Sequence, residues 1–231
     1  MIHIFDVDNT LIRKTSTWYF LREALSKGII RLSQIRHLPL DWIKYKLGNL
    51  DVNFIEDAVR PFIGIKRKAL EQIAQNCFES RIKPNIYTDA VKLIREILNR
   101  REKVIFATSS LKTIIEPLER FFGIEGSIAS MLEFHDETTT GKILGDSSFG
   151  LKKKTQVEAW LGRNGLSPKE LCFYSDSYTD LPLLEYSGFP VAVNPDRILR
   201  KKAEKRGWQI VRFMKTIGKS NLPGKAPHNK L

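Results

Sequence analysis

His3-Ile4-Phe5-Asp6-Val7-Asp8-Asn9-Thr10-Leu11 is the stretch on which the reading of this chain turns. A short apolar strand, His3-Ile4-Phe5, runs straight into a polar cluster, and the carboxyl end of a strand is where open α/β sheets place their chemistry. Asp6 and Asp8 are one residue apart, so an extended backbone sends Val7 into the core while both carboxylates face the same side. Two like charges held together need a compensating cation. Magnesium suits them, because it prefers oxygen ligands, takes few carboxylates and keeps positions for water and phosphate oxygens. An isolated pair of this kind also serves as a turn or a helix cap, so its place directly after a strand carries the weight.

Residues 12–83 show no convincing alternation, but apolar residues recur at helical spacing, as in Trp18, Leu21 and Leu25 and later Phe54 and Ala58. The segment therefore reads as helical throughout. Strand-like runs resume after Pro84, with Val104-Ile105-Phe106-Ala107, Ser127-Ile128-Ala129, Leu171-Cys172-Phe173-Tyr174 and Pro190-Val191-Ala192-Val193. Helical patterns lie between them, at 89–99 and 155–162. Strands alternating with helices predict an α/β fold with a parallel sheet covered on both faces. A β-hairpin is expected at 132–144, where threonines precede Gly141. A helical block between the first strand and the rest of the sheet reads as an inserted cap over the active end. The expected organisation is a core of residues 1–11 and 84–218, a cap of residues 12–83, and a basic tail, 219–231, whose Pro, Gly and Lys content predicts disorder.

The 231 residues, 42% hydrophobic and 28% charged, are enough for a full core and ordinary for a globular protein. No segment approaches the ~18 uninterrupted apolar residues needed to span a bilayer. The N-terminus lacks the basic start and apolar stretch of a secretory signal, so a cytoplasmic location is expected. Cys77 and Cys172 lie far apart in apolar settings and read as buried packing residues. Ten of the twelve net positive charges fall in residues 197–231, where eleven basic residues face Glu204 alone. A basic C-terminal end is not a groove spread over the fold, which makes nucleic acid an unlikely partner and leaves a solvated helix face or an anionic membrane surface. Residues 29–47 mix Arg31, Arg36, Lys44 and Lys46 with Trp42 and Tyr45, a pattern that fits an amphipathic cap helix or a membrane surface. His3, His37, His135 and His228 have no metal-ligand spacing, and no glycine-rich nucleotide fingerprint occurs.

Four motifs in order carry a family resemblance. Asp6-Val7-Asp8-Asn9-Thr10-Leu11 resembles the first signature of the haloacid dehalogenase superfamily, and Thr108-Ser109-Ser110 after an apolar strand resembles the second. Lys153, within Gly150-Leu151-Lys152-Lys153-Lys154, matches the third, and Tyr174-Ser175-Asp176-Ser177-Tyr178-Thr179-Asp180 the fourth. The resemblance covers nearly the whole chain and is closest to the phosphoserine-phosphatase-like branch. It implies a Rossmann-like core with a helical cap after the first strand, a Mg2+ cofactor, and phosphatase activity on a small phosphorylated substrate.

By that resemblance Asp6 is the nucleophile and Asp8 the general acid and base. Thr108 and the Ser109 amide hold phosphoryl oxygens, and Lys153 neutralises charge. Asp6, the Asp8 carbonyl and Asp176 hold magnesium, while Thr10, Thr179 and Asp180 bind phosphate or orient their neighbours. Lys152 and Lys154 compete with Lys153 on spacing, and Ser109 competes with Thr108. Phosphoserine phosphatases carry an acidic residue shortly after the first motif, but here the stretch is Arg13-Lys14-Thr15-Ser16-Thr17-Trp18, which disfavours phosphoserine. Two other readings stay open: a lipid-phosphate phosphatase docked on a membrane, and an idle relative that binds a phosphorylated ligand or nucleic acid through its tail.

Overall fold

The computed structural model describes residues 1–36, 54–145, 147–148 and 150–218. Strand β1 (Ile2–Phe5) is buried at every position. It lies between β2 (Lys103–Leu111) and β5 (Leu171–Ser175), parallel to both. Strands β3 (Ser127–His135), β4 (Thr138–Leu144), β6 (Phe189–Val193) and β7 (Gln209–Val211) complete a seven-stranded sheet of order β4-β3-β2-β1-β5-β6-β7, in which β4 alone runs antiparallel to its neighbour. The expected α/β fold with a parallel sheet is therefore present. The central strands are near-continuous apolar runs because both sheet faces are covered.

Alternation along the strands sorts them into two cores. One face presents Phe5, Phe106 and Tyr174 to helices α5 (Thr88–Asn99) and α6 (Lys112–Phe122). The other presents Ile4, Ala107 and Phe173 to α7 (Gly150–Arg163), α8 (Leu181–Tyr186) and α9 (Arg197–Arg206). The first core continues without a break into the segment after β1, where Phe20, Leu21, Phe62, Leu70 and Ile73 join the same apolar cluster.

That segment is not helical throughout. It holds α1 (Ser16–Ser26), α2 (Leu32–Ile35), α3 (Phe54–Val59) and α4 (Arg67–Cys77). Gly28 and Gly64, at φ +69 and +79, take left-handed conformations between them that end one helix and redirect the chain. Residues 37–53, which include His37 and most of the basic amphipathic run, lie outside the described residues, as does the tail 219–231 with His228. Among the described residues no helix is long and apolar enough to cross a membrane.

Three extended segments join where this helical region leaves and re-enters the sheet domain. The Arg13 amide donates to the Asn85 carbonyl (2.8 Å) and Tyr87 to Leu11 (2.9 Å), so the outgoing and returning connections pair with each other. The chain after β7 covers the far edge, with Thr88 donating to Lys215 (2.9 Å), Ile217 to Ile86 (3.0 Å) and Gly218 to Pro84 (2.8 Å).

The expected hairpin is β3–β4, but its turn is Asp136-Glu137, both at positive φ (46 and 61) as a two-residue hairpin turn requires. Gly141 lies inside β4 at φ +75, where an added Cβ would sit 2.2 Å from Ile63 Cγ1. The turn also receives residues 64–67 as a short ladder: Gly64 donates to Thr139 (2.9 Å), Thr139 to Ile65 (3.0 Å) and Arg67 to Glu137 (2.8 Å). Gly141→Ala should therefore cost about 1–2 kcal/mol from the left-handed backbone alone, read as a lowered denaturant midpoint.

Cys77 and Cys172 are both buried free thiols, as expected, and burial pushes Cys77 up to about 12. His3, buried in β1, donates from Nε2 to Glu102 (2.5 Å) and accepts at Nδ1 from the Tyr174 hydroxyl (3.1 Å). Burial outweighs the Glu102 carboxylate and lowers its pKa below 6.5, so the folded protein holds it neutral. A depressed pKa gives stability that is complete above the unfolded value and is lost as pH falls through the folded one. The denaturation midpoint should drop as pH is lowered from about 6.5, and His3→Gln should flatten that drop.

Candidate active site

The site begins one residue past β1. The Asp6 amide donates to the Tyr174 carbonyl at 2.9 Å, which prolongs the β1–β5 pairing and fixes Asp6 at the carboxyl end of the central strand. Asn9 then turns the chain at φ 59, and Leu11 donates back to the Val7 carbonyl at 2.9 Å. Val7 is fully buried, as the alternation requires. The two carboxylates beside it take different partners.

Asp6 faces Lys153, whose ammonium lies 2.9 Å from Asp6 Oδ1 and 2.8 and 2.9 Å from the two oxygens of Asp180. Lys153 shares one face of α7 with Val157 and Leu161, four and eight residues on, and all three are buried. That helical period carries a lysine into the core and separates it from exposed Lys152 and half-buried Lys154, which pairs with Glu158 at 3.0 Å. Burial alone would lower the Lys153 pKa, but the carboxylates of Asp180 and Asp6 together hold it above the ordinary lysine range. It is an ammonium, locked between two anions. Asp180 also accepts from the Ser175 hydroxyl at 2.7 Å.

Thr10 joins the first and fourth motifs. Its hydroxyl oxygen accepts from the Asp176 amide (3.0 Å) and lies 3.3 Å from both Asp6 Oδ2 and Asp176 Oδ1. Burial pushes Asp6 up to about 7 despite Lys153. Burial, with the charges of Asp6 and Asp180, raises Asp176 well above the usual carboxylate range. This corner therefore holds more negative charge than its one lysine can balance, and all its donors are oxygens. No three side chains of His, Cys, Asp or Glu converge on one point among the described residues. Two carboxylates supplemented by main-chain oxygen suit magnesium, which keeps several positions for water and phosphate.

Asp8 looks the other way. Its Oδ1 accepts from the Ser16 amide (2.8 Å) and its Oδ2 from the Ser110 hydroxyl (3.0 Å). Burial raises its pKa above that of an ordinary carboxylate even though these donors oppose the rise. Its side chain is thus directed to α1 and the end of β2, and the Asp8 carbonyl is what remains for a metal.

Thr108 lies inside β2, which runs four residues past the expected end at Ala107. Its hydroxyl is buried and accepts from the Ser110 amide at 3.2 Å. Ser109 is half-buried, its carbonyl accepting from Ser130 at 3.0 Å. Thr179 bonds to Ser177, through its hydroxyl at 2.9 Å and its amide at 3.3 Å, and so shapes the turn leading to Asp180. Asp6, Thr10, Lys153, Asp176 and Asp180 are therefore brought together, with Asp8 adjacent, and Thr179 is linked to them only through the turn. Ser16, Ser110 and Ser175 were missed from sequence. Ser110 stands two residues from Thr108, the spacing that returns a strand side chain to the same face, and this was the available signal.

Comparison with known proteins bears on the family and the fold. The sequence pattern of the family described as haloacid dehalogenase-like hydrolase matches residues 4–185. A histidinol-phosphatase of Neisseria meningitidis is 31% identical over 216 residues, covering 91% of this chain and 97% of that protein. Phosphoserine phosphatase SerB1 of Mycobacterium tuberculosis is 28% identical over 214 residues, covering 90% and 70% respectively. Among solved structures, a protein of unknown function from Bordetella pertussis superposes with TM-score 0.81 at 29% identity over 91% of this chain and 97% of that one. A substrate-bound phosphoserine phosphatase shares the fold, with TM-score 0.68 at 17% identity and 93% coverage of both chains.

Lys153→Met should destabilise the protein by about 3–5 kcal/mol, because it leaves two buried carboxylates without their counter-charge. Lys154→Met breaks only a partly exposed pair and should cost less than about 1 kcal/mol. Chemical denaturation of both variants checks which lysine the site depends on.

Proposed function

The chain belongs to the haloacid dehalogenase-like hydrolase family, and on that premise we propose that it is a magnesium-dependent phosphatase acting on a small phosphorylated metabolite through a phosphorylated Asp6. The observation that carries the reading is the buried Asp6 carboxylate, held at 2.9 Å by Lys153 and facing Asp176 across Thr10. A carboxylate positioned by an ammonium and unable to relax into solvent is a nucleophile kept in place for in-line attack.

In the first half-reaction an Asp6 oxygen bonds to phosphorus as the ester P–O bond breaks, and Asp8 gives its proton to the departing oxygen. In the second, Asp8 takes a proton from water, the water oxygen bonds to phosphorus, and the P–O bond to Asp6 breaks. The product is inorganic phosphate, and both aspartates return to their starting states. Burial of Asp8 favours the protonated form from which this acid must start. In this reading Thr108 and the Ser109 amide would bind phosphoryl oxygens, and Asp180, paired with Lys153, would keep it aimed at Asp6. When bound by Asp6, Asp176 and the Asp8 carbonyl, magnesium would offset charge on the transferring phosphoryl group. Residues 12–83 would act as the cap that selects the alcohol portion, and Arg13 and Lys14 are exposed and free to meet a second anionic group of the substrate.

The test is phosphate release from p-nitrophenyl phosphate, phosphoserine and histidinol phosphate, the last two because relatives carry those names. Turnover should require magnesium, stop with chelator, and fall about a thousandfold or more in Asp6→Asn. Undiminished turnover by Asp6→Asn would refute the nucleophile assignment.

A further inference from the structure

Ser110 belongs to none of the residue sets that perform the reaction above, yet it is buried at 3% exposure beside the acid that does. Its hydroxyl is 3.0 Å from Asp8 Oδ2, 2.6 Å from the Ser16 hydroxyl and 3.2 Å from the Thr17 hydroxyl. The Ser16 amide reaches the other Asp8 oxygen at 2.8 Å. Asp8 is therefore gripped at both oxygens, once from the end of β2 and once from the first residue of α1, and the two grips are joined through the Ser16–Ser110 contact. Ser110 is held in turn by its own amide, which donates to the Thr108 hydroxyl at 3.2 Å.

Resting on the phosphatase reading, we propose that Ser110 is a positioning residue that fixes the Asp8 carboxyl for proton transfer to the leaving oxygen and ties that position to α1 of the cap. A carboxyl on a free χ1 and χ2 samples several rotamers. One clamped at both oxygens by a rigid strand end and a helix start presents its proton in a single direction. General acid catalysis depends on that direction, since the donor must lie within hydrogen-bond reach of the atom it protonates. Ser16 and Thr17 extend the clamp into α1, so displacing α1 from the end of β2 would release Asp8. The Ser110 hydroxyl has two oxygen partners besides Asp8 and one hydrogen. In the array seen here it donates to Asp8 and accepts from Ser16.

A residue that acts on the acid has a signature that a residue supporting the fold does not. Proton donation matters most where the leaving oxygen is basic and least where it departs readily as an anion. The value kcat/KM reports the steps through departure of the leaving group, whatever limits turnover later. Ser110→Ala should reduce kcat/KM for phenyl phosphate about tenfold or more, while changing that for p-nitrophenyl phosphate by less than about threefold. Asp8→Asn should show the same graded pattern more strongly, and adding Ser110→Ala to Asp8→Asn should cost nothing further, since the two act as a unit. Ser110→Thr, which keeps the hydroxyl, should recover most of the phenyl phosphate activity. Equal losses on both esters, or full additivity with Asp8→Asn, would overturn the proposal in a folded variant. Failure of the phosphatase reading is separate, because wild-type protein would then release no phosphate from either ester or Asp6→Asn would retain the activity.

Discussion

An ammonium group buried between two carboxylates organises this molecule. Lys153 contacts Asp6 at the end of β1 and Asp180 at the start of α8, and it arrives on α7 from a third direction. Removing three charges from water carries a large desolvation cost, which is recovered only if all three are held in good geometry. The elements that bear them must therefore close on one another in a single arrangement. The parallel pairing of β1 with β5, extended by the Asp6 amide, and the shared apolar face of α7 satisfy that demand. Lys153 also fixes the sign of the site. It neutralises part of the charge and leaves Asp6 and Asp176 with a negative surplus that favours a cation beside them.

Asp6 and Asp8 show how two residues of the same type acquire different roles at a spacing of two. Asp6 is held by a cation and lies across a hydroxyl from a second carboxylate. Asp8 touches no cation among the described residues and is held by an amide and a hydroxyl. Burial raises both carboxyls, and it is opposed by the Lys153 ammonium at Asp6 and by the Ser16 and Ser110 hydrogen bonds at Asp8. The strand end therefore holds two carboxyls side by side in different surroundings, which is what the proposed reaction asks of its nucleophile and its proton donor.

Much of this was legible in the sequence. The sheet could be read because its strands, buried on both faces, are apolar runs such as Val104-Ile105-Phe106-Ala107, and because Asp6, Lys153 and Asp176 stand in ordered motifs. The run of Lys152, Lys153 and Lys154 could not be resolved by spacing alone, since the choice depends on which side chain shares a helix face with Val157 and Leu161. The hairpin at 132–144 was legible, but the role of Gly141 inside β4 was not, since its small size serves a contact with Ile63 from a distant segment. Ser110 carried one local signal, its two-residue spacing from Thr108, but its partners Asp8 and Ser16 lie about a hundred residues earlier and no spacing points to them. Local chemistry can be read from sequence, and long-range company cannot.

The three-segment ladder at the root of the helical region has a consequence for how the chain matures. Residues 11–13 and 84–88 can pair once both have left the ribosome, but the outer edge of 84–88 must wait for 215–218, which follow the last strand of the sheet. During synthesis that edge presents unpaired amides and carbonyls, the kind of surface that recruits stray strands from other chains. The last described segment is thus also a seal. The helical region acquires its final anchorage to the sheet only once residues 215–218 are in place, so a chain truncated before residue 215 would keep the strands of the sheet but leave an open seam at the root of the helical region.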